Sequence, residues 1–264
     1  MLDYLPSGES WARARAAALK ALELDETMSD AHLALGLAKL HEDWDWPGAE
    51  KAFKRARELN PHSEPVHSYH ALYYLVLGKI EASLAEAREA LALDPISPGA
   101  NLTMAVHLLR ANHLSEAEEQ IQKTLELIPD HPFAHYLLGQ VYMLQGRHAH
   151  GIAQLEKSLR LSGRTRTILA ALGWAHGLTG NEEKARTFLT ELEEKSQEEY
   201  VSPVLFARIY AALKDFDRAF QYLEKAYEAH DSSSIHIKTE ESIQNLRSDP
   251  RFTALLRKMG LEGK

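Results

Sequence analysis

Residues 71–95 read ALYYLVLGKIEASLAEAREALALDP, and residues 105–129 read AVHLLRANHLSEAEEQIQKTLELIP. Few letters match, yet the punctuation does. Ala71 falls on Ala105, Gly78-Lys79 on Asn112-His113, Ser83 on Ala117, Ala90 on Thr124 and Pro95 on Pro129. Working outward, Gly36, Ala71, Ala105, Gly139, Gly173 and Ala207 form one column, spaced by 35 residues once and by 34 thereafter. A second small-residue column follows 12 residues later at Ser83, Ala117, Gly151, Ala185 and Ala219, with an offset of 13 in the first unit, giving Ala49. A third runs through Ala56, Ala90, Thr124, Ser158 and Ala226, with Leu192 as the exception.

Such columns describe a unit of two helices. Small residues let the helix axes approach to about 8–10 Å where they cross. Leu35, Leu138, Leu172 and Phe206 flank them and fill the space between units. Gly78-Lys79, Asn112-His113, Gly146-Arg147, Gly180-Asn181 and Lys214-Asp215 mark the turn inside each unit, where Gly or Asn favours the left-handed end of the first helix. Pro61 and Pro95 close the second helix. The expected fold is an all-α solenoid.

Composition agrees. The 264 residues are 45% hydrophobic, rich in strong helix formers, and carry a net charge of -8. Lys and Arg are interleaved with Glu along the chain, residues 51–58 reading as solvated helix surface and not as the basic stripe of a nucleic-acid binder. No nucleic-acid partner is expected. The absence of cysteine excludes disulfides, thiol nucleophiles and thiolate metal sites, and fits a reducing cytoplasm. Residues 1–10 lack both the basic start and the apolar run of a signal peptide, and no stretch has the roughly 18 apolar residues needed to span a bilayer. A cytoplasmic protein without a membrane partner is the expectation.

The period and its columns resemble the tetratricopeptide repeat over nearly the whole chain, which implies a right-handed α-solenoid that binds proteins. The pentatricopeptide alternative reads RNA with a basic groove, which the acidic balance opposes; ankyrin repeats need a Thr-Pro-Leu-His turn that does not occur. The reading gives a half unit at 9–27 holding only a second helix, with Ala14 and Ala21 in the small columns. Six full units follow at 29–62, 64–97, 98–131, 132–165, 166–199 and 200–233, and a capping segment at 238–259 starts its helix at Asp249-Pro250. Starting half-way through a unit leaves an apolar helix face uncovered, so this chain is expected to be part of a longer protein or to be covered there by another subunit. Three stretches, residues 43–53 (DWDWPGAEKAF), 200–203 (YVSP) and 246–252 (LRSDPRF), are similar to the tetratricopeptide segments at the C-termini of bacterial multidomain signalling proteins, behind Ser/Thr kinase, winged-helix or nucleotide-cyclase domains. That resemblance implies a regulatory region whose partner is an attached effector domain, another protein or peptide, or another copy of itself.

In such solenoids the first helices line the concave face. Helical spacing places Leu33, Leu37, His41, Leu72, Leu75, Leu102, Val106, Leu109, Tyr136, Gln140, Met143, Trp174 and Arg208 there. The groove is apolar, with Leu33, Leu37, Ser68 and Leu72 where chaperone-binding relatives carry the Lys and Asn of a carboxylate clamp. It suits an amphipathic helix or an extended apolar peptide, or else these residues pack against neighbouring first helices. Trp44 and Trp46, in the one turn with an extra residue, are either a contact hot spot or, as favoured here, a plug for the wider gap. His32, His67 and His135 share one column and therefore one packing role, so neither a metal nor a cofactor is expected from them or from the His67/His70 and His131/His135 pairs. His148 and His150 flank a turn and read as solvated. No phosphate loop, nucleophile elbow or His-Glu-x-x-His pair occurs, and Glu191, Glu193 and Glu194 read as solvated charge, so no enzyme is expected.

Overall fold

The computed structural model describes residues 8–263, with side chains from residue 11. The signal-peptide reading of residues 1–7 lies outside the described residues. Helices follow in antiparallel pairs: α1 (Gly8–Leu24), α2 (Ser29–Ala38), α3 (Trp46–Leu59), α4 (Glu64–Val76), α5 (Ile80–Leu93), α6 (Pro98–Arg110) and α7 (Leu114–Leu127). Then come α8 (Pro132–Leu144), α9 (His148–Ser162), α10 (Arg166–Leu178), α11 (Glu182–Lys195), α12 (Pro203–Ala212) and α13 (Phe216–Glu228). Two 3-10 helices, Ser232–His236 and Glu241–Leu246, lead to α14 (Pro250–Lys258). Among the described residues there is no strand, and no helix is long and apolar enough to cross a membrane.

The small columns sit at the helix crossings. A Cβ on Gly139 of α8 would come within 2.7 Å of Leu155 and 3.0 Å of the Gly151 carbonyl on α9, so only glycine permits that approach. The turn inside each unit carries one left-handed residue: Gly78, Asn112, Gly146, Gly180 and Lys214 have φ between 61° and 80°. Trp44 lies 34 residues before Gly78 and is left-handed too, at φ 50°. The extra residue of the first unit has a definite home. Residues Lys39–Asp43 form a π-helix, the wider turn that absorbs one insertion between α2 and Trp44.

The turns between units are pinned by the histidine column. Nε2 of His32, His67 and His135 lies 2.9 Å from the carbonyls of Glu26, Pro61 and Pro129, each six residues back. Asn101 makes the same reach to Pro95 through its amide, at 3.0 Å. A first-helix side chain thus supplies the donor that the redirected backbone needs. Beside it, Glu86 receives His67 Nδ1 at 2.6 Å and Arg57 at 2.6 Å, with His70 Nδ1 at 3.2 Å. Burial alone would raise Glu86, but these partners outweigh it and lower its pKa to about 2.

Candidate functional site

The concave face is filled by the chain itself. After α13 the backbone turns through Asp231, which accepts hydrogen bonds from the Tyr200 and Ser202 hydroxyls at 2.7 and 2.8 Å. The two 3-10 helices then pack on α4, α12 and the π-turn. Ile235, Ile237, Ile243 and Leu246 are at most 1% exposed and share one apolar cluster with Leu33, Leu37 and Leu72. Fully burying such a side chain is worth about 1.5–3 kcal/mol, so this segment is core and not a loose covering.

Its polar centre is a buried ion cluster. The Glu240 carboxylate, 2% exposed, accepts from Arg110 of α6 at 3.0 Å and from Arg208 of α12 at 2.7 Å. Arg110 also pairs with Glu241. Burial would raise Glu240, yet the two guanidinium groups outweigh it and hold its carboxyl well below the usual range. Burial, with the Glu240 charge beside it, raises Glu241 despite Arg110. Lys238 donates to the Leu77 carbonyl at 2.7 Å and the Leu261 carbonyl at 3.2 Å, tying the segment to α4 and to its own end.

Two buried histidines, His41 and His107, and a half-buried one, His236, lie around this cluster. His236 of the first 3-10 helix faces His41, Arg110, Arg208 and Glu240; burial, then the neighbouring cations, lower it to about 3. Burial lowers His41 to about 4, and its ring stacks on Trp11 with centroids 4.5 Å apart. His107, 2.6 Å from the Ser83 hydroxyl, is lowered to about 4 by burial and by Arg110.

The tryptophans of the first turn reach the far end of the array. Trp46 donates its indole N–H to the Met259 carbonyl at 2.9 Å, and Trp44 stacks on His230 at 4.5 Å beside Tyr227 at 5.7 Å. They close the first unit onto the last, a role beyond plugging a local gap.

None of the thirteen positions assigned to the groove is exposed. Leu33, Leu37 and Leu72 meet the C-terminal segment's cluster, while Tyr136 and Arg208 face Glu240. Gln140 donates to the Tyr136 hydroxyl at 2.8 Å. Leu102, Val106, Leu109, Met143 and Trp174 belong to a second cluster between the units; Met143 lies on Gly151, toward the second helix rather than the groove. Leu75 is buried as well. Trp174 also borders a cavity of about 260 Å³ with Glu241 and Asn245. Sequence reasoning missed Arg110, His236, Lys238, Glu240 and Glu241. The one signal was Arg110, a lone cation on an apolar first helix.

Among the described residues no group of three or more His, Asp or Glu is placed to hold a metal ion. Paired helices, left-handed turns and a shared concave face define a helical-repeat solenoid. Tetratricopeptide-repeat models match residues 74–141, 134–165 and 204–229. Over these stretches the chain is similar to the tetratricopeptide-repeat family, and its fold is a solenoid of that type. It is 22% identical over 191 residues to anaphase-promoting complex subunit 3 of Schizosaccharomyces pombe, covering 72% of this chain and 29% of that protein. The chain therefore spans less than a third of that relative's length. Its fold is similar to the Cut9–Hcn1 hetero-tetramer of the anaphase-promoting complex (TM-score 0.65, 16% identity, 89% of this chain and 46% of that one). It is also similar to a thermophilic tetratricopeptide-repeat protein of Thermus thermophilus (TM-score 0.60, 23% identity, 70% and 98%).

Proposed function

We propose that this chain is a non-enzymatic scaffold that holds a protein partner on its outer surfaces, its concave face being kept by its own C-terminal segment. The observation that carries this reading is Glu240, seated between Arg110 and Arg208 under a layer of buried isoleucines. A peptide or helix docking along Leu33, Leu72, Tyr136 and Arg208 would have to displace that layer and leave two guanidinium groups without their carboxylate. The related Cut9–Hcn1 structure is an assembly of proteins, which supports a protein partner. The stretches at 43–53, 200–203 and 246–252 support a regulatory region beside a signalling domain.

Partner recovery by the unaltered chain and by Glu240→Gln separates the two faces. Equal or reduced recovery fits an outer-surface scaffold; a several-fold gain would mean that loosening the segment opens the working groove. A second reading, self-association through α1, rests on Leu19, which is 47% exposed on that helix. Light scattering across a concentration series tests it, and a strict monomer would dismiss it.

A further inference from the structure

The edge of the solenoid that carries the turns between units is unusually apolar. Every second helix ends there and every next first helix begins there, because the helices alternate in direction. Eleven large apolar side chains are exposed among the described residues, and eight of them fall on this edge, so the distribution is not random scatter. The first such turn carries Leu24, 82% exposed, and Met28. The third carries Leu93 and Ile96, the latter 79% exposed, and the fourth carries Leu127 and Ile128. In the second turn Leu59 is half-buried.

The charge beside these steps is acidic. Asp25 and Glu26 flank the first, Asp94 the third, and Glu126 and Asp130 the fourth, all exposed. Lys157 neutralises Asp130 at 3.1 Å, while Asp94 and Glu126 make no ion pair among the described residues. Adjacent helices pack about 8–10 Å apart, so like turns, two helices apart, are separated by roughly 16–20 Å, which an extended chain at about 3.3 Å per residue spans in about six residues.

From the row of exposed leucines and isoleucines and the acids between them, we propose that this edge docks an extended basic segment of a partner protein, with a large apolar residue about every sixth position and Lys or Arg between. The apolar residues sit on the Leu93/Ile96 and Leu127/Ile128 steps, and the cations meet Asp94 and Glu126. The inference rests on the outer-surface reading and names the surface involved.

The probe is a synthetic peptide of about a dozen residues with two leucines about six positions apart and lysines between. One control has the same composition with its leucines adjacent, and another has glutamate for lysine. Saturable binding of the probe is expected, with at least about tenfold weaker binding of both controls and of the Ile96→Ser/Leu127→Ser variant. The Asp94→Asn/Glu126→Gln variant should bind more weakly and lose much of the salt dependence. These positions are exposed, and an unchanged thermal melt confirms that each variant is folded. Equal binding of probe and rearranged control, or an unaffected Ile96→Ser/Leu127→Ser variant, would overturn the proposal. So would self-association abolished by those substitutions, which would make the row a contact between copies. Failure of the probe with a groove that stays closed would reject the edge alone; failure together with groove opening in Glu240→Gln would reject the scaffold reading as well.

Discussion

At the scale of single residues, Glu240 holds the segment in the concave face. Removing one partner of a buried ionic group costs about 3–5 kcal/mol, because the charges left behind stay desolvated. Glu240→Gln is expected to lower unfolding free energy by that order in a denaturant titration, and a loss under about 1 kcal/mol would contradict the geometry. Acid should act at the same place. His41, His107 and His236 are neutral in the fold, with pKa values lowered to about 4, 4 and 3, whereas an unfolded chain takes up those protons from about pH 6.5 downward. Each therefore removes stability as pH falls below 6.5, by about 1.4 kcal/mol per pH unit until its own folded value is reached. Glu86 and Glu240, both depressed, add to this loss below about pH 4.5. His236→Gln should flatten the stability profile between pH 6 and 4; an unchanged slope would place the acid sensitivity elsewhere. Little of this was legible beforehand. A buried charge is recognised by its partner, and Arg110 and Glu240 are 130 residues apart with nothing in sequence to pair them.

Among elements, the repeats were legible and the closing segment was not. Small columns and left-handed turns recur at fixed spacing because every unit solves the same crossing problem, so Gly139, Gly151 and Asn112 disclose the helix pairs. The 13-residue offset before Ala49 likewise marks an insertion, and the structure shows its form as the π-helix Lys39–Asp43. The 3-10 helices of residues 232–246 show no 3.6-residue period, and their apolar residues face several elements at once. Hence the start of α14 at Asp249-Pro250 could be seen while the path leading to it could not. The π-turn matters because it directs Trp46 to the Met259 carbonyl. Trp46→Phe keeps an aromatic ring but removes the donor and part of the indole's buried volume, and should cost about 1–3 kcal/mol. It should also raise amide exchange in α14 before other helices. Uniform exchange across the chain would show that the contact is not a separate latch.

For the whole molecule, the outcome is a solenoid whose first unit grips its last and whose hollow is occupied by its own chain. A flexible open array exposes its first-helix faces; here Ile235, Ile237, Ile243 and Leu246 are buried against several of them. On the proposed reading, the outer edges, including the row from Leu93 to Ile128, are the surface offered to a partner. Hydrogen exchange over residues 235–246 tests that closure most directly. If the segment belongs to the core, its hydrogen-bonded amides exchange as slowly as those of α8 and α10, at the rate set by global unfolding. Exchange within seconds, as in an exposed loop, while α8 and α10 stay protected, would show an open groove and contradict the account.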